Sequence, residues 1–593
     1  MKYNINIDYN RDKYLSEFSI KTLEDRYLLP GEKSPQDAFA RAASAFADDQ
    51  EHAQRLYDYA SKLWFMFSTP ILSNGGTDRG LPISCFLNHV EDSREGITGH
   101  YVENAFLSSV GGGIGGHWSA VRSVGSRTSK GSESTGVIPF IKVVDAEMLA
   151  FSQGVTRRGS YAAYLDIDHP EVEEFLDIRK PTGGDINRRS TNLHHGINLS
   201  DKFMSLIEQC TIDKSLDDSW DLIDPHTKEV KKTVSAKALW VKIIQNRVET
   251  GEPYIMFKDT VQAGLPRVQQ DLGLTVHHSN LCSEITLPTD GERTAVCCLS
   301  SVNLEEFDEW HDHPHFIGDL VRMLDNVLTH FIEAAPDELE KARYSALRER
   351  SIGLGAMGFH AYLQRHSIPF ESVIAKTRNN LMFKHIKEKA VEQTHKLAEL
   401  YGEAPDAQGT GVRNMHLLAV APNASSSIIC GNTSPSIEPY RANVFVQKTK
   451  SGTSILKNEY LQDLLQDLGM DNEEVWRSIA NNRGSVQHLD FLDEYTKEVF
   501  KTGVEIDQRW VIEMAADRQK YICQSQSLNV FYPSNVSKLE LHAHHMLAWK
   551  KGVKTLYYLR SEAYKRAESV SDQALRQQII DIAEGSDCVM CEG

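Results

Sequence analysis

No stretch of these 593 residues comes near the roughly 20 consecutive apolar positions that a bilayer-spanning helix needs, which excludes an integral membrane protein of helical type. The start, MKYNINIDYNRDKY, also lacks the apolar core of a secretory signal, so the cytoplasm is the expected location. Basic charge is in deficit, with 64 Lys and Arg against 82 Asp and Glu and a formal net charge of -18. That argues against binding a polymeric nucleic acid, which takes a basic stripe to displace counterions. Small anions remain accessible to a local set of backbone N–H groups, hydroxyls and a few arginines. Cysteine is scarce and odd in number, nine in all at irregular spacing, which excludes a secreted disulfide scaffold and makes each position matter individually. Repeats and low-complexity blocks are absent too.

What is there reads as α/β. Residues 12–66 carry helical periodicity, with SPQDAFARAASAFADD offering a Ser-Pro helix start. From Thr69 to about Leu559, Gly-rich turns alternate with short apolar strands and amphipathic helices such as FIGDLVRMLDNVLTHFIEAA. TIDKSLDDSWDLIDPHTKEVKKT reads as a polar excursion between helices. Past KTLYYLRSEAY the chain turns into a polar helix and ends in GSDCVMCEG, the composition of a mobile tail. The expected division is a helical region 1–66, a catalytic body 67–565 and a tail 566–593.

The stretch HHSNLCSEITLP spaces an amide, a thiol and a carboxylate at every second residue. In a strand this puts Asn280, Cys282 and Glu284 on one face at intervals of about 6.6 Å. An edge strand with one buried thiol would look the same. The terminal CVMC, Cys588 and Cys591, lacks the second ligand pair of a zinc knuckle and reads as a dithiol able to exchange with disulfides. About 22 residues of extended tail would carry it roughly 70 Å. Such a carrier needs an internal disulfide to reduce. Cys85 in LPISCFLNH and Cys297 in AVCCLSSVNL are candidates, with Cys298 competing. SSVGGGIGGHW formally fits a dinucleotide fingerprint, but a helical segment precedes it and no acidic residue follows at the right distance. The glycines instead mark a close backbone approach to a neighbour or ligand. APNASSSIICGN sets hydroxyls at a helix start, a place for anions or for ordinary capping. The histidines of HDHPHF and HAHHM lack HExxH spacing and mostly read as surface residues, so no metal ligand set is expected.

Together, SNLCSEI, CLSSVNL, TLYY and a terminal CxxC, in that order, resemble the large catalytic subunit of class I ribonucleotide reductase from about Phe65 onward. The resemblance implies a ten-stranded α/β barrel of two five-stranded halves around a finger loop. It implies a reaction as well: reduction of ribonucleoside diphosphates to 2′-deoxyribonucleotides for DNA synthesis. Cys282 would carry the thiyl radical, with Glu284 as general base and Asn280 as hydrogen-bonding partner. Cys85 and Cys297 would be the reductants, recharged by Cys588 and Cys591 and then by thioredoxin or glutaredoxin. Tyr557 and Tyr558 would relay the radical from a separate metal-containing small subunit, no cofactor being held by this chain.

By the same matching, Thr69, Ser84, Gly113, Pro422, Asn423, Ala424, Ser425 and Ser426 would hold the substrate. The loop departs from the family's PSETSS at Ala424 and Ser425. A dNTP or ATP effector would meet Asp92, Arg122, Arg157 and Arg158 across a homodimer interface, with Arg127 or Lys130 replacing a second arginine. Only 68 residues precede Thr69, too few for a helical cap plus an ATP-cone, so dATP shut-off through a cone is not expected. So compact a form suits a viral genome, in which case the location is the host cytoplasm. Two rivals remain: a self-sufficient cobalamin-dependent reductase, whose relatives lack the tyrosine relay, and a zinc-binding adaptor using the CxxC and the histidine clusters.

Overall fold

The computed structural model describes residues 1–153, 157–180, 183–449 and 452–561. Three helices open it: α1 (Glu17–Arg26), α2 (Pro35–Phe46) and α3 (Gln50–Ser61). The Ser-Pro start behaves as expected. The Ser34 side chain accepts from the Gln36 backbone N–H, Asp37 reaches back to the cap, and Pro35 sits where a missing N–H costs nothing. The short strand Phe65–Phe67 then pairs antiparallel with Val302–Ser300 and attaches this helical region to the body.

The body's first half is an unbroken parallel sheet. Its strands are β1 (Cys85–His89), β2 (Gly113–His117), β3 (Ser160–Asp166), β4 (His194–Leu199) and β5 (Tyr254–Phe257), each paired to the next. The second half starts with β6 (Ala295–Cys297), which continues past Cys298 as β7 (Leu299–Asn303) and lies parallel to β8 (Gly353–Met357). Single parallel bridges, Leu354 to Leu418 and Val420 to Gln526, bring in residues 417–420 and 524–532. The last of these ends as β9 (Val530–Tyr532), parallel to β11 (Leu559–Ser561), which follows β10 (Thr555–Leu556). The halves meet antiparallel on both sides, β6 against β1 and β10 against β5. Among the described residues ten staves thus close into a barrel, the arrangement the resemblance implied.

Helices wrap the outside, among them α4 (Arg94–Ser109), α5 (Phe316–Ala334) and α6 (Val373–Tyr401). No helix among the described residues is long and apolar enough to cross a membrane. Two local expectations need correcting. The polar excursion is largely a β-hairpin, Ser219–Ile223 against Val230–Ser235, because Trp220 and Leu222 alternate inward between polar residues. The HAHHM histidines are not all superficial: His544 and His545 are buried, and His545 Nε2 accepts from the Arg247 guanidinium.

Candidate active site

Residues 279–285 form no ladder, contrary to the strand expected for NLCSE. Ser283 has φ +67° and its N–H donates back to the Asn280 carbonyl, so the chain turns at its tip. The reason is location: the segment runs up the middle of the barrel, where no neighbouring strand lies alongside it. Its backbone groups are therefore met one at a time by side chains and backbone of the staves. Tyr164 Oη on β3 donates to the Asn280 carbonyl at 2.6 Å, and Thr555 Oγ1 on β10 donates to the Ser283 carbonyl at 2.7 Å. The Ser525 N–H donates to the Glu284 carbonyl at 2.8 Å, and Ser527 Oγ lies 2.6 Å from the Cys282 carbonyl. The glycine run explains itself here. A Cβ on Gly115 would lie 2.2 Å from the Ser279 carbonyl oxygen, so β2 must be bare for the loop to pass.

Asn280, Cys282 and Glu284 are all fully buried, and they share one region although the strand geometry is absent. Asn280 Nδ2 donates to Cys85 Sγ at 3.2 Å, while its Oδ1 accepts from the Ile285 N–H. Tyr557 Oη donates to Cys282 Sγ at 3.6 Å. Ser527 Oγ lies 3.0 Å from Glu284 Oε2, and Glu284 Oε1 has no hydrogen-bond partner among the described residues. Burial, and secondarily the neighbouring Cys85, pushes the Glu284 carboxyl well above the usual range, which favours its protonated form.

Cys85 and Cys297 face each other across the β1–β6 ladder in direct register. Paired antiparallel residues have Cα atoms about 4.5–5.5 Å apart, inside the range a disulfide spans. Burial first, and then Cys85, raises the Cys297 thiol well above its ordinary value, and neither cysteine is held in a disulfide. Cys298 faces the other way. It packs in the outer core and its Sγ lies 3.5 Å from the Leu324 carbonyl on α5, whereas Cys85, Cys282 and Cys297 share the inner cluster.

Tyr557 and Tyr558 adjoin with ring centroids 4.3 Å apart. A third ring, Tyr254 on β5, packs 4.7 Å from Tyr557 and 5.1 Å from Tyr558. Tyr558 Oη lies 3.3 Å from His194 Nδ1, and the Arg560 guanidinium covers its ring at 4.1 Å. His194 in turn contacts Glu252, which Arg179 and His194 hold ionised against the cost of its burial.

Thr69 opens a short helix at Thr69–Asn74, and its hydroxyl lies 3.1 Å from Tyr27 Oη. The Ser84 carbonyl accepts from the Gly113 N–H beside Cys85. Ala424 to Ser426 form the first turn of α7 (Ala424–Ile429), entered through Asn423 at φ +55°, whose Nδ2 donates to Ser301 Oγ. The hydroxyls therefore do stand at a helix start. Asp92, just past β1, takes Arg122 at 3.0–3.1 Å through Nε and the backbone N–H, and Arg122 Nη1 donates to the Arg127 carbonyl. Arg157 and Arg158 form one arm of a two-residue pairing with Ser152 and Gln153; their side chains, like Cys588 and Cys591, lie outside the described residues.

Motif reading missed Tyr254, Tyr164 and Ser527. The tyrosines sit in apolar runs that look like any core strand. Ser527 did carry a signal: SQSLN alternates Ser525, Ser527 and Asn529 just as NLCSE alternates its polar groups.

Comparison with known proteins agrees with this geometry. The family model described as "Ribonucleotide reductase, barrel domain" matches residues 83–409 and 404–559, and "Ribonucleotide reductase, all-alpha domain" matches 13–80. A ribonucleoside-diphosphate reductase large subunit of Invertebrate iridescent virus 3 is 44% identical over 99% of this chain and all of its own length. The Caenorhabditis elegans large subunit is 32% identical, covering 100% of this chain and 83% of its own. Among solved structures, the Actinobacillus ureae class Id ribonucleotide reductase alpha subunit superposes with a TM-score of 0.81 at 36% identity, covering 94% of this chain and 98% of that one. With ten staves closed around a finger loop that presents Cys282 to Tyr557, and with relatives spanning its whole length, the chain belongs to the ribonucleotide reductase family as a large, catalytic subunit.

Proposed function

We propose that the chain reduces ribonucleoside diphosphates by a thiyl-radical route in which the inner cluster supplies each step. The observation that carries this is the 3.6 Å contact of Tyr557 Oη with Cys282 Sγ, at the end of a tyrosine stack. A radical entering from a small subunit passes Tyr558 and Tyr557 to Cys282. The Cys282 thiyl takes the 3′-hydrogen of the ribose, which no side-chain base is strong enough to remove as a proton. Glu284, once ionised, accepts the 3′-hydroxyl proton, and Asn280 hydrogen-bonds the same region. The 2′-hydroxyl leaves as water. Cys85 and Cys297 provide two electrons and two protons as they form a disulfide, Glu284 gives its proton back to the 3′-oxygen, and Cys282 returns its hydrogen to C3′ and is again a thiyl.

The body at 67–565 would thus be served by the tail at 566–593, whose Cys588 and Cys591 reduce the Cys85–Cys297 disulfide and are recharged by thioredoxin or glutaredoxin. The diphosphate would rest on Thr69, Ser84, Gly113 and the 422–426 turn. A dNTP or ATP effector would bind near Asp92, Arg122 and the 157–158 arm in a homodimer. A cobalamin-dependent reaction is not favoured, because the stacked tyrosines have no task in it.

The test is a reductase assay of the full chain with and without its small subunit. Cys282→Ser and Tyr557→Phe should both abolish turnover. Truncation before Cys588 should spare activity with dithiothreitol and lose it with a protein reductant. Normal turnover by Cys282→Ser would sink the radical route, and multiple turnover by Tyr557→Phe would favour cobalamin.

A further inference from the structure

The opening residues of the finger loop, His277 and His278, have no task in the reaction above, and the fold places them among other histidines. β1 and β2 run in parallel register, with His89 directly beside His117 at their C-terminal ends. His277 at the root of the finger loop packs onto both, with ring centroids 4.9 Å from His89 and 4.8 Å from His117. His89 Nδ1 and His117 Nδ1 lie only 3.0 Å apart, and donor nitrogens of all three rings lie within 4.8 Å of one another. Two nitrogens facing at 3.0 Å share either a proton or a cation.

One feature favours the cation. Behind His117, Nε2 faces Asp166 Oδ1 at 3.8 Å, and Asp166 is itself held by Lys258 at 2.8 Å and Asn198 at 2.7 Å. A carboxylate behind the far nitrogen of a histidine is the arrangement that orients metal-ligating imidazoles. His278, by contrast, is engaged: its Nε2 lies 3.0 Å from the Gly115 carbonyl and its Nδ1 3.5 Å from Thr289 Oγ1, so it takes no part.

We propose that His89, His117 and His277 bind one divalent transition-metal ion of the zinc type and so tie the root of the finger loop to the ends of β1 and β2. Nitrogens about 2.0–2.1 Å from a tetrahedral ion stand about 3.3 Å apart. The 3.0 Å pair is nearly there, and the half-buried His277 ring closes the rest by turning inward. Three protein ligands leave a fourth position to water. The site differs from the zinc adaptor reading in using neither the terminal CxxC nor the HDHPHF and HAHHM histidines.

The full chain, stripped of metal, is dialysed against Zn²⁺ and separately against Co²⁺, whose visible spectrum reports coordination. One equivalent per chain is expected, with the intense bands of four- or five-coordinate cobalt. His277→Ala and His89→Ala change half-buried positions, and each should weaken binding by at least about tenfold, the lower bound for losing even an outer partner of a metal site. Metal should raise the unfolding midpoint of the wild type and not of these variants, whose metal-free midpoints and circular dichroism show that they fold. His313→Ala and truncation before Cys588 should leave binding intact. Absence of binding would overturn the proposal. So would undiminished binding by both His277→Ala and His89→Ala, or binding lost with His313 or the tail; either would mean an adventitious ion only. None of these readouts depends on reductase activity.

Discussion

Ser527 offers the sharpest test of how Glu284 works. Its hydroxyl lies 2.6 Å from the Cys282 carbonyl and 3.0 Å from Glu284 Oε2, but it has one proton to give. While Glu284 is protonated, the acid donates to Ser527 and Ser527 donates to Cys282. Once Glu284 ionises, the hydroxyl turns to serve the carboxylate. Ser527→Ala therefore removes a hydrogen bond that favours the ionised base. A bond to a charged group contributes about 1.5–3 kcal/mol, and at about 1.4 kcal/mol per pK unit its loss raises Glu284 by about 1–2 units. The base then has to be generated from a smaller ionised fraction, so conversion at pH 7 should fall about 10- to 100-fold and the rising limb of the pH profile should move up by the same 1–2 units. The assay is single-turnover conversion of a ribonucleoside diphosphate by pre-reduced enzyme with its small subunit, from pH 6 to 9. A Ser527→Ala protein that folds and shows an unmoved rising limb would refute both the hydrogen-bond switch and the role of Glu284 as base.

Other expectations follow from the same geometry. Glu284 has a folded pKa above its unfolded value near 4.3, so its contribution to stability is complete below about pH 4.3 and is lost as pH rises toward the raised value, by up to about 1.4 kcal/mol per pH unit. Glu284→Gln should accordingly gain on the wild type in urea unfolding between pH 5 and 8 while losing turnover; a difference independent of pH would show that the carboxyl is not held protonated. Cys298→Ser should keep multiple turnover and Cys297→Ser should lose it, since only Cys297 faces Cys85; equal losses in a thiol-driven steady-state assay would contradict that division. Gly115→Ala puts a methyl 2.2 Å from the Ser279 carbonyl, an overpacking that costs about 1–3 kcal/mol and displaces the finger loop. Its signature should be lost activity together with a lowered unfolding midpoint, and an active, equally stable variant would show that the loop does not press on β2.

How far the sequence could be read depended on whether a signal was local. The helix start at Ser34 and Pro35 was legible because capping is decided within four residues. The polar hairpin Ser219–Ile223 was missed because its inward alternation spans only Trp220 and Leu222. Asn280, Cys282 and Glu284 do share one region, but not through the strand geometry that their spacing suggests. Their convergence comes from a turn at Ser283 inside a barrel, and a period-two pattern cannot distinguish that from a strand when the partners lie over a hundred residues away. Tyr254 was invisible because its neighbours Ile255, Met256 and Phe257 are as buried as it is.

By itself the sequence determined the chemistry available: a thiol set spread along the chain, a tyrosine pair, a terminal dithiol outside the described residues, and no membrane-spanning run. Those are properties of residue identity and order, which folding cannot change. Only the tertiary structure decided which groups meet. The antiparallel closure of β6 on β1 sets Cys297, rather than its neighbour Cys298, opposite Cys85, because adjacent residues of a strand face opposite ways. The parallel register of β1 and β2, with the finger loop packed across their ends, brings His89, His117 and His277 together from positions up to 188 residues apart along the chain. No local pattern encodes such a meeting, since it exists only once the barrel has closed.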